Sequence, residues 1–461
     1  MSRLAGGLIA ARAAGALSRV ARRGGGTSLP GKVLTRVAPD AIGRLADRLR
    51  DGTVVLSATN GKTTTAAMVA SVLERRGARL VHNRAGANMA GGVASALAAA
   101  ASPGGRRLDG TLGLFEVDEF WLPQLLGELR PRAVLLANLF RDQLDRYGEL
   151  ETIGERWLEA VAALPTGTRL VLNADDPLVA DLGRHREAVT FFGVDDDGLA
   201  RPEMQHAADS KHCRRCGHPY AYDAIYLGHL GRYHCPNCGA RRPPPGVWAT
   251  DVELHGIRSS AFTLHTAAGA TRVELPLPGL YNVYNALAAA ALCLDLGAGA
   301  ADVAAGLAAV APAFGRAEVL RLGERDANLL LIKNPAGANE VLRTLTLEQD
   351  RLDVLGILND RTADGRDVSW VWDADWELLA PQLERMTCAG TRAAELAVRL
   401  KYAGVDASRL TVVGDPEAAL DHALTGPGAG RGPLQVLPTY TALLELRELL
   451  ARRGQAEDYW R

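Results

Sequence analysis

The chain has 461 residues, 48% of them apolar and 23% charged, so it can bury substantial cores, and its length suits two or three domains better than one. Its 52 basic and 53 acidic residues leave a formal net charge of −1, which removes the global electrostatic case for a nucleic-acid binder. No run approaches the roughly 18 apolar residues of a membrane-spanning helix.

Residues 1–26 hold five arginines and no acid among Ala, Gly and Leu. Arg12 and Arg19 interrupt the apolar centre that a signal peptide needs. The run predicts a basic helix, solvated or docked, within an amino-terminal lead-in over 1–40. Weak attraction to an anionic membrane surface is the sharper alternative.

From 53 to about 192, short apolar runs alternate with helical patterns. Strands are expected over 54–58, 112–117, 133–138 and 168–173, and helices over 63–76, 89–101 and 153–164. Such alternation implies a parallel sheet covered on both faces. Residues 201–246 break the rhythm with Cys, His, Pro and Gly. Antiparallel strands over 248–254, 260–265 and 271–275 follow, then helices over 281–296 and 300–310. A second α/β segment has strand candidates at 329–333, 352–358, 385–389 and 434–437. The expected domains are therefore 41–315, with an insertion at about 205–245, and 316–461.

The stretch from Val54 to Thr65 reads as strand, loop and helix start. The loop Thr59-Asn60-Gly61-Lys62-Thr63-Thr64 offers backbone N–H groups and a helix N-terminus to an anion, with Lys62 for terminal phosphates and a Thr63 hydroxyl for Mg²⁺. Only five of the 52 basic residues are lysines (Lys32, Lys62, Lys211, Lys333 and Lys401), so a lysine in this loop is chemically pointed. The pairs Cys213/Cys216 and Cys235/Cys238 form C-x2-C-x18-C-x2-C, the spacing of a structural zinc ribbon. Cys293 and Cys388 sit in apolar surroundings and read as core residues.

The loop resembles the ATP loop of the Mur ligase family, with Ala58 where that family usually has Gly. Further matches follow in order. Glu116 stands where the family places a Mg²⁺ carboxylate. Asn138-Leu139-Phe140-Arg141-Asp142-Gln143-Leu144-Asp145-Arg146 is similar to its Asn…Asp-His-Leu-Asp segment, with Gln143 replacing His. Asn173-Ala174-Asp175-Asp176 is similar to its Asn-x-Asp-Asp. Asn282 sits at the family's adenine-contacting helix start, and Arg316 matches a later Arg. The resemblance implies a Mur ligase-like parallel-sheet ATPase domain with an inserted zinc ribbon, followed by a Rossmann-like carboxyl domain. It implies ATP, Mg²⁺ and structural Zn²⁺.

The cysteine cluster, Lys333-Asn334-Pro335-Ala336-Gly337 and the acidic, Trp-rich stretch 358–373 narrow the resemblance to the ligase-like subunits of lipid II isoglutaminyl synthases. That resemblance implies ATP-dependent amidation of the α-carboxylate of D-glutamate in lipid II through an acyl phosphate. Ammonia would come from a GatD-type glutaminase partner, whose Cys-His pair Asp367 or Asp373 would complete. It also implies a cytoplasmic protein, with a peripheral place at the inner membrane face as a further option. Competing readings are a stand-alone amino-acid ligase, which would want a carbamylated lysine where only Lys211 is near, and an ATP-binding scaffold.

Overall fold

The computed structural model describes residues 2–20, 28–83, 87–142, 150–204, 208–311, 316–348, 351–426, 430 and 432–456. Strands β1 (Thr53–Ser57), β2 (Leu80–His82), β3 (Leu112–Glu116), β4 (Ala133–Leu136), β5 (Arg169–Asn173) and β6 (Val189–Val194) form a parallel sheet in the order β6-β5-β4-β1-β3-β2. Every residue of β1, β3 and β4 is buried, as a sheet covered on both faces requires. The ribbon hairpin, β7 (Ala221–Leu227) and β8 (Leu230–His234), stands apart from this sheet. The chain rejoins it as β9 (Val247–His255), β10 (Ser259–Thr266) and β11 (Gly269–Leu275). β9 is parallel to β6, and β10 and β11 extend it antiparallel to nine strands.

One face is covered by α1 (Arg3–Val20), α2 (Leu29–Val37), α3 (Ala41–Ala46), α5 (Ala90–Ala100), α6 (Leu122–Leu129) and the helix Leu150–Ala162. The other carries α4 (Lys62–Arg75) and the helices Leu280–Asp295 and Ala300–Ala308. The buried run Ala288–Ala291 keeps the Leu280–Asp295 helix slim enough to lie close to the sheet. The amino-terminal helix takes the docked alternative: Leu4, Leu8 and Ala11 are buried in the same core as Leu34.

The carboxyl domain is a six-stranded sheet of β12 (Arg316–Leu322), β13 (Arg325–Leu330), β14 (Leu352–Ile357), β15 (Leu383–Ala389), β16 (Leu410–Val412) and β17 (Leu434–Pro438), in the order β12-β13-β17-β14-β15-β16. All pairs are parallel except β12–β13. The strand expected over 329–333 lies earlier, at β13, because residues 325–330 pair with β12 in a hairpin. Leu331 to Asn334 leave the sheet and lead into the helix Pro335–Thr346. The stretch around Trp370 and Trp372 is a short 3₁₀ turn. Gln143, Leu144, Asp145, Arg146, Gly315 and the side chain of Arg316 lie outside the described residues.

Candidate active site

The site gathers at the carboxyl ends of β1, β3 and β4, beside the point where strand order reverses around β1. The apolar run of β1 ends at Ala58, and the chain turns through Thr59, Asn60 and Gly61 into α4. Gly61 holds φ at +85°, and a Cβ there would lie 2.7 Å from Asn285 Cγ, so both backbone and space require glycine. Asn138, just beyond β4, clamps the loop. Its Oδ1 accepts from Asn60 N at 2.9 Å and its Nδ2 donates to Asn60 O at 3.0 Å. The first turn of α4, whose N–H groups have no acceptor within the helix, opens on a cleft lined here by Asn60, Gly61 and Thr64.

Lys62 is almost wholly buried, its Nζ 2.7 Å from Glu119 Oε2 and bonded to the Ala58 carbonyl. Burial alone would lower its pKa, but the charges of Glu119, Asp118 and Glu116 outweigh that and raise it, so the ammonium is secure. Burial likewise pushes Glu119 upward, and Lys62 with Lys333 overcomes it and holds the carboxyl low. Asp118 is raised by burial and by Glu119 beside it. Thr63 Oγ1 donates to Glu116 Oε1 at 3.1 Å. Adjacent ligands on an octahedral Mg²⁺ with bonds of about 2.1 Å lie about 3 Å apart, so this oxygen pair fits one Mg²⁺. Asn83 fixes Glu116 from behind, accepting from its N at 3.0 Å and donating to its O at 2.7 Å.

The carboxyl domain closes the cleft. Asn334 Nδ2 donates to Asn60 Oδ1 at 3.0 Å, and Asn60 Nδ2 donates to Asn334 Oδ1 at 3.3 Å. The same Asn334 Oδ1 caps the helix Pro335–Thr346 through Gly337 N at 2.8 Å. Lys333 Nζ reaches Thr59 O at 3.2 Å and pairs with Asp142. Sequence reasoning placed this stretch in the family pattern without assigning it a role; the scarcity of lysine was the available signal.

A second, smaller pocket beside Lys333 is rimmed by Arg141, Asp364, Asp367 and Asp373. Asp364 is buried and accepts from Thr441 N at 2.7 Å, and Asp360 is tied to Thr391 and Arg392. Asp367 is exposed, bonded to Ser369 N at 2.8 Å, which lowers its pKa. Asp373 is half-exposed, 3.6 Å from Arg141. Trp372 and Tyr402 are exposed nearby, with ring centroids 5.7 Å apart.

The four ribbon sulfurs lie within 4.8 Å of one another, with Cys213–Cys238 at 3.5 Å and Cys216–Cys235 at 3.4 Å. A tetrahedral Zn²⁺ with bonds of about 2.3 Å needs sulfurs about 3.8 Å apart, so the cluster fits zinc with no open position. Gly217 and Gly239, both at φ +74°, close the two knuckles by donating to the Cys213 and Cys235 carbonyls at 2.7 and 3.0 Å. The side chain of Asn237 and the backbone near His218 draw Cys216 down to about 6, while hydrogen bonds from the other sulfurs push Cys238 up to about 12. Cys293 and Cys388 are buried, and burial raises both thiols, Cys388 to about 12.

Residues 57–240 match the Mur ligase middle domain, and residues 331–443 match the MurT ligase C-terminal domain. The chain is 33% identical over 429 residues to the MurT subunit of lipid II isoglutaminyl synthase from Staphylococcus aureus, covering 93% of both. It is 34% identical to the Streptococcus pneumoniae MurT subunit, covering 97% of both. The chain belongs to the MurT family. Among solved structures, a pseudomurein peptide ligase from Methanothermus fervidus superposes with TM-score 0.68 at 23% identity, covering 89% of this chain and 80% of that one. MurF from Acinetobacter baumannii superposes with TM-score 0.64 at 19% identity, over 91% and 80%. The MurT-family chain thus has the Mur ligase fold and is an ATP-dependent ligase.

Within that fold, the expected nucleotide residues do not all reach the cleft. Asn173 donates to Ala137 O at 2.9 Å and accepts from Asp175 N at 3.0 Å. Asp176 caps a short helix through Leu178 N at 2.9 Å and holds Leu139 N at 2.9 Å. Both brace the ends of β4 and β5 beneath the loop. Asn282 donates to Pro278 O at 2.8 Å and accepts from Asn285, while Tyr281, Tyr284 and Asn285 line the cleft. Lys211 is exposed on the ribbon and lines neither pocket described here.

Proposed function

We propose that this chain is the synthetase subunit of a lipid II isoglutaminyl synthase. The carboxylate of the lipid II D-glutamate attacks the γ-phosphorus of ATP, ADP leaves, and ammonia then displaces phosphate from the acyl phosphate to give D-isoglutamine. Lys62 and the loop N–H groups neutralise charge on the transferring group, and Thr63 and Glu116 would hold Mg²⁺. The observation that carries this reading is the Thr59–Thr63 loop, joined to Glu116 through Thr63 and to Lys333 and Asn334 of the carboxyl domain through Thr59 and Asn60.

Ammonia comes from a GatD-type partner on this reading. Four cysteines belong to the ribbon cluster, and the other two are buried with raised thiols, so none is suited to glutamine hydrolysis. Asp367 and Asp373, beside the Trp372–Tyr402 patch, are the groups offered to the partner's Cys-His pair, and exposed aromatics suit such an interface. No helix among the described residues is long and apolar enough to cross a membrane. Residues 1–39 carry seven basic and no acidic residues, which supports a cytoplasmic, peripheral position beside anionic lipid.

The test is mass spectrometry of lipid II incubated with the chain, ATP and Mg²⁺, with ammonium alone or with glutamine and the partner. An ATP-dependent exchange of hydroxyl for amide is expected, driven by glutamine only with the partner present. ATP hydrolysis with no mass change on lipid II would return the assignment to a ligase of another carboxylate.

A further inference from the structure

The cleft is lined by polar groups of the loop and by a set of apolar side chains, and two of the apolar ones come from neither α/β domain. Leu227 and Leu230 close β7 and β8 on either side of the hairpin turn, and both line the cleft. The tip they flank is tied down on several sides. Gly231 N donates to Asp175 O at 3.0 Å, and Tyr222 OH donates to His229 O at 2.9 Å. The His229 ring is fully buried against Phe140, another cleft residue, with centroids 4.7 Å apart. From the far end of the ribbon, Arg242 pairs with the buried Asp175, which also accepts from Tyr284 OH at 2.7 Å, and Tyr284 lines the same cleft.

We propose that the zinc ribbon builds the base subsite of the nucleotide cleft. Leu227 and Leu230 form the apolar wall on which the purine rests, and the Arg242–Asp175 pair orients Tyr284. The inference rests on the nucleotide reading of the cleft. A nucleotide with its phosphates at Asn60–Thr64 must bury its heteroaromatic ring elsewhere in the cleft, and an aliphatic wall removes that ring from water. Cys235 directly follows β8. Five extended residues of about 3.4 Å each put Cys235 about 17 Å from Leu230, so zinc bound there would act on the subsite by fixing the hairpin, not by contact.

The experiment measures equilibrium binding of ATP and of inorganic triphosphate to the full chain, with zinc content determined alongside. Leu230→Ala and Leu227→Ala should weaken ATP about tenfold, leave triphosphate unchanged and keep one zinc per chain. The double variant Cys216→Ser/Cys238→Ser should lose zinc and weaken ATP while binding triphosphate as before. Unchanged ATP affinity in the leucine variants would overturn the proposal, as would loss of triphosphate affinity in step with ATP. If the unaltered chain bound neither probe, the nucleotide reading itself would fall, and the subsite with it.

Discussion

Gly61→Ala tests the architecture of the loop most directly. At φ +85° an alanine costs about 1–2 kcal/mol of backbone strain. Its Cβ, 2.7 Å from Asn285 Cγ, adds an overpacking cost of about 1–3 kcal/mol. Asn285→Ala alone removes the hydrogen bonds to Asn282 at 3.1 Å and from Thr65 at 3.3 Å, about 1 kcal/mol each. In the double variant the overlap vanishes and the strain remains, so the two substitutions should be less costly together than summed, by about 1–3 kcal/mol. Urea unfolding of all four proteins, with nucleotide absent, measures the cycle. Additivity within about 0.5 kcal/mol would refute the claim that Asn285 leaves no room at residue 61.

Glu119 sits below the ordinary carboxylate range because Lys62 and Lys333 outweigh burial, so its stabilising contribution is complete above about pH 4.3 and is lost as pH falls through the lowered value. Glu119→Gln should therefore lower the thermal midpoint at pH 7 and flatten its decline between about pH 5 and pH 3; an unchanged acid limb would contradict this assignment. Asp175→Asn takes the close charge partner from the nine-tenths-buried Arg242 guanidinium, leaving it Val194 O at 2.8 Å and the half-exposed Asp195 at 3.9 Å, and should cost up to about 3 kcal/mol in chemical denaturation, with Asp175→Asn/Arg242→Met recovering much of it. Asp367→Asn and Asp373→Asn should leave ATP binding intact, and one of them should slow glutamine hydrolysis by the assembled complex. Unchanged hydrolysis in both would remove these two carboxylates from the partner's catalytic centre.

The phosphate loop was legible in sequence because a fully apolar strand, a turn glycine and a helix start are local signals, and β1 and α4 begin one residue before their expected positions. The ribbon spacing was legible for the same reason. What sequence did not reveal depends on contacts between distant segments. Asn282 and Asn285 lie three positions apart on one helix, and only the bare surface of Gly61 makes room for Asn285 at the cleft. Asp176 carries an acid in a family pattern, yet its oxygens are taken by three backbone N–H groups, two within its own turn and one from Leu139. The β12–β13 hairpin was missed because Arg325-Asp326-Ala327-Asn328 is polar for a strand. Its Arg325 and Asn328 are buried only because Asp353 and Gln435 receive them.

The clamp between Asn60 and Asn334 also bears on how the protein ages. Asn60 precedes Gly61, and an Asn-Gly step is the peptide sequence most open to spontaneous loss of the side-chain amide, since the glycine N can reach the side-chain carbonyl carbon unhindered. Conversion to aspartate would strip Asn334 Oδ1 of one of its two donors and set a new negative charge at the mouth of a site built for anions. Both amide atoms of Asn60 are engaged by Asn334, and its backbone N and O by Asn138, which keeps the attacking geometry out of reach. Peptide mapping of stored protein should find residue 60 deamidating more slowly than the same step in a short unfolded peptide. Wear at this position would then report on how often the two domains part.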